Sequence, residues 1–327
     1  MRAGTDAPGR HAGTTGLVLV AGSAVLFGAN GTVSKLALGS GLSALRLVEA
    51  RSLGAALLLL GALALARPAS LRVRGWREAA FLAGAGVTGI ALVQFFYFVA
   101  IARLPVSVAL LLEFLAPVLV ALWLRFARGR PVAPRTWVAI GLCLGGLALV
   151  AQVWRGLVLD GWGVLAGLAA AATLAVYYIT ADRGLASRDA VSLAAWTFAA
   201  AALFWAALLP WWTFPVHVLD DAVALPGPLA GAVVPLWALV AWVVVLGTVV
   251  PYAMVLAGVA RIGPTTAGLV GMLEPVLAGL VAWLVLGEAL APVQLVGGAV
   301  VLAGLALAQS ARAVPAPAQA AQAVPAS

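Results

Sequence analysis

The chain has 327 residues, of which 64% are apolar and only 9% charged, and its mean hydropathy is +1.11. No soluble domain of this length could bury so much apolar surface, and the apolar stretches are continuous and helix-length, unlike the short alternating segments of a membrane barrel. The sequence therefore reads as an all-α integral membrane protein, and its net charge of +8 must be placed along the chain before it says anything about partners.

Residues 1–16 lack the charged, apolar and cleavage regions of a signal peptide and read as a cytoplasmic tail. Ten spans follow, at about 17–37, 42–65, 78–99, 105–125 and 136–154, then at about 162–181, 190–210, 235–258, 264–286 and 292–309. Each has about 20 residues, the length that crosses a hydrocarbon core of roughly 30 Å. The connections are short except at 211–234, whose Trp211 and Trp212 suit a membrane–water interface. Residues 310–327 are rich in Ala, Pro and Gln, cannot form a core, and read as a disordered cytoplasmic tail.

With the N-terminus inside, fourteen arginines fall on the cytoplasmic side, while only Lys35, Arg103 and Arg155 fall outside; Arg46 and Arg51 lie within the second span. This is the positive-inside pattern, and it places both termini in the cytoplasm of a multi-pass cell-membrane protein. The basicity thus reports orientation in a lipid bilayer, and no nucleic-acid partner is expected.

Residues 102–149 overlay residues 260–307 without a gap, 158 positions apart, with 18 of 48 identical. The matches keep Ala102-Arg103 with Ala260-Arg261, Pro117-Val118-Leu119 with Pro275-Val276-Leu277, Gly129 with Gly287, and Pro134 with Pro292. Apolar composition alone does not hold Arg, Pro and Gly in register. The match runs back weakly through Gly89 and Gly247. Five spans separate corresponding points, and an odd number reverses every helix. The expected fold is therefore ten transmembrane helices as two inverted five-helix repeats, 17–154 and 155–309. Such folds place a substrate path between their halves.

At Leu112-Glu113-Phe114-Leu115-Ala116-Pro117, Leu273-Glu274-Pro275-Val276-Leu277 and Leu286-Gly287-Glu288, together with Arg51, the chain resembles the drug/metabolite transporter superfamily, specifically bacterial members with two EamA-type domains. The resemblance covers about 17–309. The Leu-Glu-Phe-x-x-Pro run is similar to the branch that exports threonine and homoserine, which implies amino-acid-like substrates. One departure is Arg130 in the first half where the second has Glu288.

Glu113 and Glu274 fall about nine and ten residues into their spans, near the bilayer midplane. A charged carboxylate there costs about 2.5–3.5 kcal/mol even on insertion scales, so it should face a cavity or a partner. Burial disfavours the charged form, which makes both acids candidates for proton coupling. By the repeat register Glu274 corresponds to Ala116, one helical turn from Glu113. The competing reading is that each acid caps a backbone group freed by Pro117 or Pro275. Arg51 is the candidate partner for a substrate carboxylate or for these acids. Arg46 and Glu49 in the same span are spaced to pair and to reach water. Asn30, Gln94, Tyr97, Tyr177, Tyr178, Trp196 and Tyr252 are candidates for lining a path, or else helix–helix hydrogen bonds and interfacial anchors. Pro251 is expected to kink the eighth span beside Tyr252.

No Walker-type loop is present, so an ion gradient supplies the work. The lone Cys143, His11 and His217 cannot build a metal cluster, and no cofactor is expected. The sequence thus points to a secondary active exporter of small, amino-acid-like metabolites exchanging them for protons, and not to an enzyme. Other solutes or the opposite direction stay open within the same superfamily. A lipid-modifying membrane enzyme would need more than the one polar cluster, His217 with Asp220 and Asp221, and a channel would show filter residues. Gly141/Gly145 and Gly163/Gly167 are small-residue patterns that fit packing within a monomer or a homodimer, and the oligomeric state stays open.

Overall fold

The computed structural model describes residues 8–129, 134–152, 159–185 and 188–312. Most of the two terminal tails, together with Arg130 and Arg155, lies outside these. Ten long helical rods make up nearly everything described. They are α1 (Pro8–Gly39), α2 (Ala44–Ala66), α3 (Trp76–Ile101), α4 (Val106–Phe126), α5 (Pro134–Ala151), α6 (Gly161–Leu185), α7 (Ala190–Leu208), α8 (Leu236–Gly263), α9 (Thr266–Leu286) and α10 (Pro292–Arg312). Eight contain a segment long and apolar enough to cross a membrane, and the two shorter apolar segments, Pro134–Val150 and Pro292–Ala308, belong to α5 and α10.

These sequences form helices because a helix satisfies its own backbone where no water can. Two of the starts carry polar caps: Ser43 Oγ accepts from the Arg46 amide at 3.3 Å, and Asp189 Oδ1 from the Ser192 amide at 3.0 Å. Large apolar side chains such as Leu203, 71% exposed, point outward as expected of a bilayer-facing surface. Trp162, Trp211 and Trp212 are exposed near the ends of α6 and α7.

The all-helical expectation needs one correction. The connection between α7 and α8 holds a short antiparallel pair, β1 (Ala222–Ala224) with β2 (Val233–Pro235), in the register Val223↔Val234. A helix-length apolar period is missing here, while Ala222-Val223-Ala224 and Val233-Val234-Pro235 flank a Gly/Pro-rich turn. Arg46 at the start of α2 anchors this loop, donating to Thr213 Oγ1 at 2.6 Å while pairing with Glu49 at 2.7 Å.

The irregularities of the helices recur 158 residues apart. A π-turn spans Val87–Ala91 in α3, and another spans Val245–Val249 in α8. The helix of α4 breaks after Glu113 at Phe114, and the chain breaks again at Met272 inside α9. Gly129 and Gly287 both take positive φ, 61° and 70°, at the ends of α4 and α9, where a residue with a Cβ would be strained. In the α5–α10 seam, a Cβ on Gly146 would meet Gly297 O at 2.6 Å, and one on Gly304 would meet Ala139 O at 2.8 Å. Gly304 is the register mate of Gly146, and Gly297 of Ala139. The two helices run antiparallel, as the contacts Cys143–Val301 and Gln294–Val150 also require.

The remaining helices interlock across the chain. α1 packs on α8 and α9, α6 on α3 and α4, and α2 on α7. Leu42, Leu47, Phe98, Ile101 and Val106 are almost wholly buried in one core cluster, and Leu104 in a second. Gly163 and Gly167 pack against Leu104 and Leu112, whereas Gly141 and Gly145 have no side-chain neighbour within 4 Å. The small-residue pattern therefore serves internal packing in α6 but not at those two positions of α5.

Candidate functional site

Seven helices surround a central cavity of about 320 Å³. The second span supplies Arg51, the fourth Glu113 and the ninth Glu274. Asn30 comes from α1, Gln94 and Tyr97 from α3, Tyr177 and Tyr178 from α6, and Tyr252 from α8. Phe27, Val93, Leu110, Phe114, Leu174 and Val255 complete an apolar wall. Nine of the ten residues singled out from sequence thus share one space. Trp196 does not line it. It is on α7, which packs against α2 and α3, and its indole lies against the apolar core.

The local backbone explains how polar groups reach this point. Glu113 is the last residue before the break in α4, and Glu274 is the second residue after the break in α9. The four ion pairs among the described residues involve neither acid. Each π-turn places a glycine against a polar side chain from a facing helix. Gly89 lies against the Tyr177 ring and Gly247 against the Asn30 amide, with no room for a Cβ at either position. Gly31 does the same for Tyr97, whose Oη would be 2.6 Å from an added Cβ.

Arg51 is 6% exposed and is held on α8: its Nε donates to Thr248 Oγ1 at 2.8 Å and its Nη2 to Gly247 O at 3.4 Å. The Thr248 hydroxyl in turn donates to Val243 O at 2.7 Å. The guanidinium lies 5.6 Å from the Phe98 ring centroid, a cation–π arrangement. Pro251 was expected to kink α8, and a π-turn, Val245–Val249, lies just before it. A proline has no N–H to give the carbonyl four residues back, and that carbonyl is Gly247 O. Thr248, Gly247 and Gly89 were not read as site residues. The repeat register had marked both glycines, but a lone threonine in an apolar helix gives no signal. Tyr252 stacks edge-on against Phe27 and Phe198, at 5.4 and 5.8 Å between ring centroids.

A second cavity, of about 510 Å³, lies between α4, α9 and α10. It is larger but chiefly apolar, and Val276, Leu280 and Trp283 on its wall are themselves about half exposed on the outer surface. Its acid is already engaged, since Glu288 pairs with Lys35 at 2.5 Å and accepts from the Val106 amide at 2.9 Å. Its amide Gln294 bonds Val150 O and the Ala291 amide. The central cavity, with groups still unspent, is the candidate site. Among the described residues no three His, Cys, Asp or Glu side chains cluster to hold a metal. His217 and Asp220-Asp221 are exposed in the α7–α8 loop.

A helical membrane bundle around a polar cavity is the architecture of a transporter, and comparison with known proteins gives the family. The sequence model of the EamA-like transporter family matches residues 14–152 and 161–309. The chain belongs to that family. Its apolar helices make it a multi-pass membrane protein. The threonine/homoserine exporter RhtA of Escherichia coli (strain K12) is 28% identical over 214 residues, 65% of this chain and 65% of that protein. An uncharacterized transporter of Archaeoglobus fulgidus is 29% identical over 216 residues, 65% of this chain and 70% of the relative. The aligned part thus spans just under two thirds of the length of RhtA. A solved crystal structure covering 92% of this chain and 98% of its own shares the fold, with a TM-score of 0.56 and 23% identity.

Proposed function

We propose that this protein exports small, amino-acid-like metabolites across the cytoplasmic membrane in exchange for protons. The observation that carries the reading is the central cavity, where two carboxylates outside the four ion pairs of the described residues, Glu113 and Glu274, line the same space as a buried arginine. An acid in that position can bind a proton when open to one side and release it when open to the other. The likeness to an exporter named for threonine and homoserine supports small hydroxylated amino acids as the first substrates to try.

The architecture proposed with it is ten spans in two inverted repeats, 17–154 and 155–309, with α5 and α10 crossing as well and both termini cytoplasmic. The recurrence of π-turns, helix breaks and the glycine seam at a spacing of 158 residues supports this layout. Inverted halves let each adopt the other's conformation, which is how such folds expose one site alternately to the two sides. The test is direct. Cells overproducing the protein should accumulate amino acids in the medium, and inside-out vesicles should take them up only while a proton gradient is held. Uptake of amino acids that persists undiminished after the gradient is collapsed would overturn the proton exchange. An unchanged medium would overturn the export of amino acids.

A further inference from the structure

The Arg51 guanidinium is a buried cation inside a membrane span, and among the described residues no carboxylate comes within 4.0 Å of it. Such a charge is costly unless something compensates it. What holds it is neutral: the Thr248 hydroxyl, the Gly247 carbonyl that Pro251 leaves free, and the Phe98 ring face. These contacts use Nε and one N–H of Nη2, and a guanidinium has five donors arranged in a fork that fits a carboxylate. Arg51 lines the same cavity as Glu113 and Glu274. Two further groups point the same way. Asn30 Oδ1 and Gln94 Oε1 are buried, line this cavity, and have no hydrogen-bond partner among the described residues. Both are acceptors and so suit an N–H or O–H donor.

One occupant of the cavity would therefore meet both a cation's donors and a set of acceptors and acids. We infer that Arg51, presented by the π-turn of α8, is the receptor for the substrate's carboxylate, while Glu113 and Glu274 with the two side-chain amides receive its ammonium and hydroxyl groups. This rests on the transport reading above and narrows it: a transported solute carries both a carboxylate and an ammonium group. Thr248 is a positioning residue, since it touches Arg51 and not the cavity.

Purified protein in liposomes tests this by competition against labelled L-threonine, with L-threonine amide (no carboxylate) and N-acetyl-L-threonine (no ammonium) as probes. In the wild type both probes should compete at least roughly tenfold more weakly than L-threonine, the factor for losing a charge-assisted hydrogen bond. Arg51→Gln should weaken L-threonine to the level of the amide while leaving the amide's own competition unchanged. Thr248→Val should raise the KM for L-threonine with little change in maximal rate. Equal competition by L-threonine and its amide in the wild type overturns the carboxylate receptor without any variant. Equal weakening of both by Arg51→Gln shows a structural role and also overturns it. Failure of the wild type to bind any of a panel of L-amino acids overturns the amino-acid reading itself, and this assignment with it.

Discussion

Glu113 and Glu274 reach the cavity from opposite sides of equivalent helix breaks, one ending a segment of α4 and the other beginning a segment of α9. That offset is why the register pairs Glu274 with Ala116 and not with Glu113, while both acids still line one space. Glutamine keeps the shape and hydrogen-bonding reach of glutamate but does not titrate. Glu113→Gln should therefore abolish proton-driven accumulation in vesicles and leave insertion and some substrate exchange intact, with a raised KM in isotope counterflow because the same carboxylate is assigned to the substrate's ammonium group. Glu274→Gln should weaken the same coupling to a smaller degree, because its position beside Pro275 also serves the local helix start. Full pH-dependent transport by both variants would remove these acids from the coupling step. That nine of the ten residues chosen by polarity share a cavity reflects a plain cost: a polar group in a span must face something other than lipid. Trp196 escaped that logic because an indole satisfies its apolar body in a core and carries only one polar atom. Thr248 escaped it for the opposite reason, since its hydroxyl bonds Val243 O within its own helix and draws no attention in sequence.

Helices are the scale at which glycine decides packing. Gly304 lies where a Cβ would sit 2.8 Å from Ala139 O and 3.0 Å from the Cys143 amide nitrogen, so α5 and α10 must part if it is enlarged. Gly304→Val should lower the melting temperature in detergent, with an overpacking cost of about 1–3 kcal/mol. Gly141→Ala, with nothing within 4 Å of its missing Cβ, should leave it unchanged or raise it slightly. Equal melting temperatures for Gly304→Val and the wild type would mean the seam is looser than described. A second tie joins the end of α1, the start of α4 and the end of α9. Lys35 pairs with Glu288 and donates to Leu104 O at 2.7 Å, and Glu288 also holds the Val106 amide. Removing either charge leaves its partner partly buried and unpaired, so Lys35→Met and Glu288→Gln should each destabilise by about 1.5–3 kcal/mol. The double variant should cost less than their sum, and strict additivity would show that the two do not act together. The register of proline and glycine made the helix ends legible from sequence. The π-turns were not legible, because one extra residue in a turn has no composition of its own.

Across the whole molecule, orientation and repetition are two views of one constraint. The first half carries Ala102-Arg103 in the α3–α4 connection, and the second carries Ala260-Arg261 at the end of α8. If five spans separate these points, the two arginines lie on opposite sides of the bilayer, and the charge bias then decides which side is which. Arg67, Arg72 and Arg74 lie between α2 and α3, with Arg77 in the first turn of α3, and Arg125 and Arg128 lie at the end of α4, so the proposed orientation puts these connections in the cytoplasm. The same orientation puts the α7–α8 loop, with Asp220, Asp221 and the exposed pair Trp211 and Trp212, outside. Eight clearly membrane-length helices leave this open, because dropping α5 alone would reverse everything after it, whereas dropping both α5 and α10 would reverse only the helices between them. Their antiparallel glycine seam favours two crossing helices over two surface ones, since close backbone approach is how helices associate where lipid offers no hydrophobic drive. Reporter fusions after residues 74 and 129 should accordingly read cytoplasmic, and a fusion after 221 extracytoplasmic. A cytoplasmic signal at 221 combined with a cytoplasmic signal at 129 would mean that α5 does not cross, and the inverted repeat would fall with it.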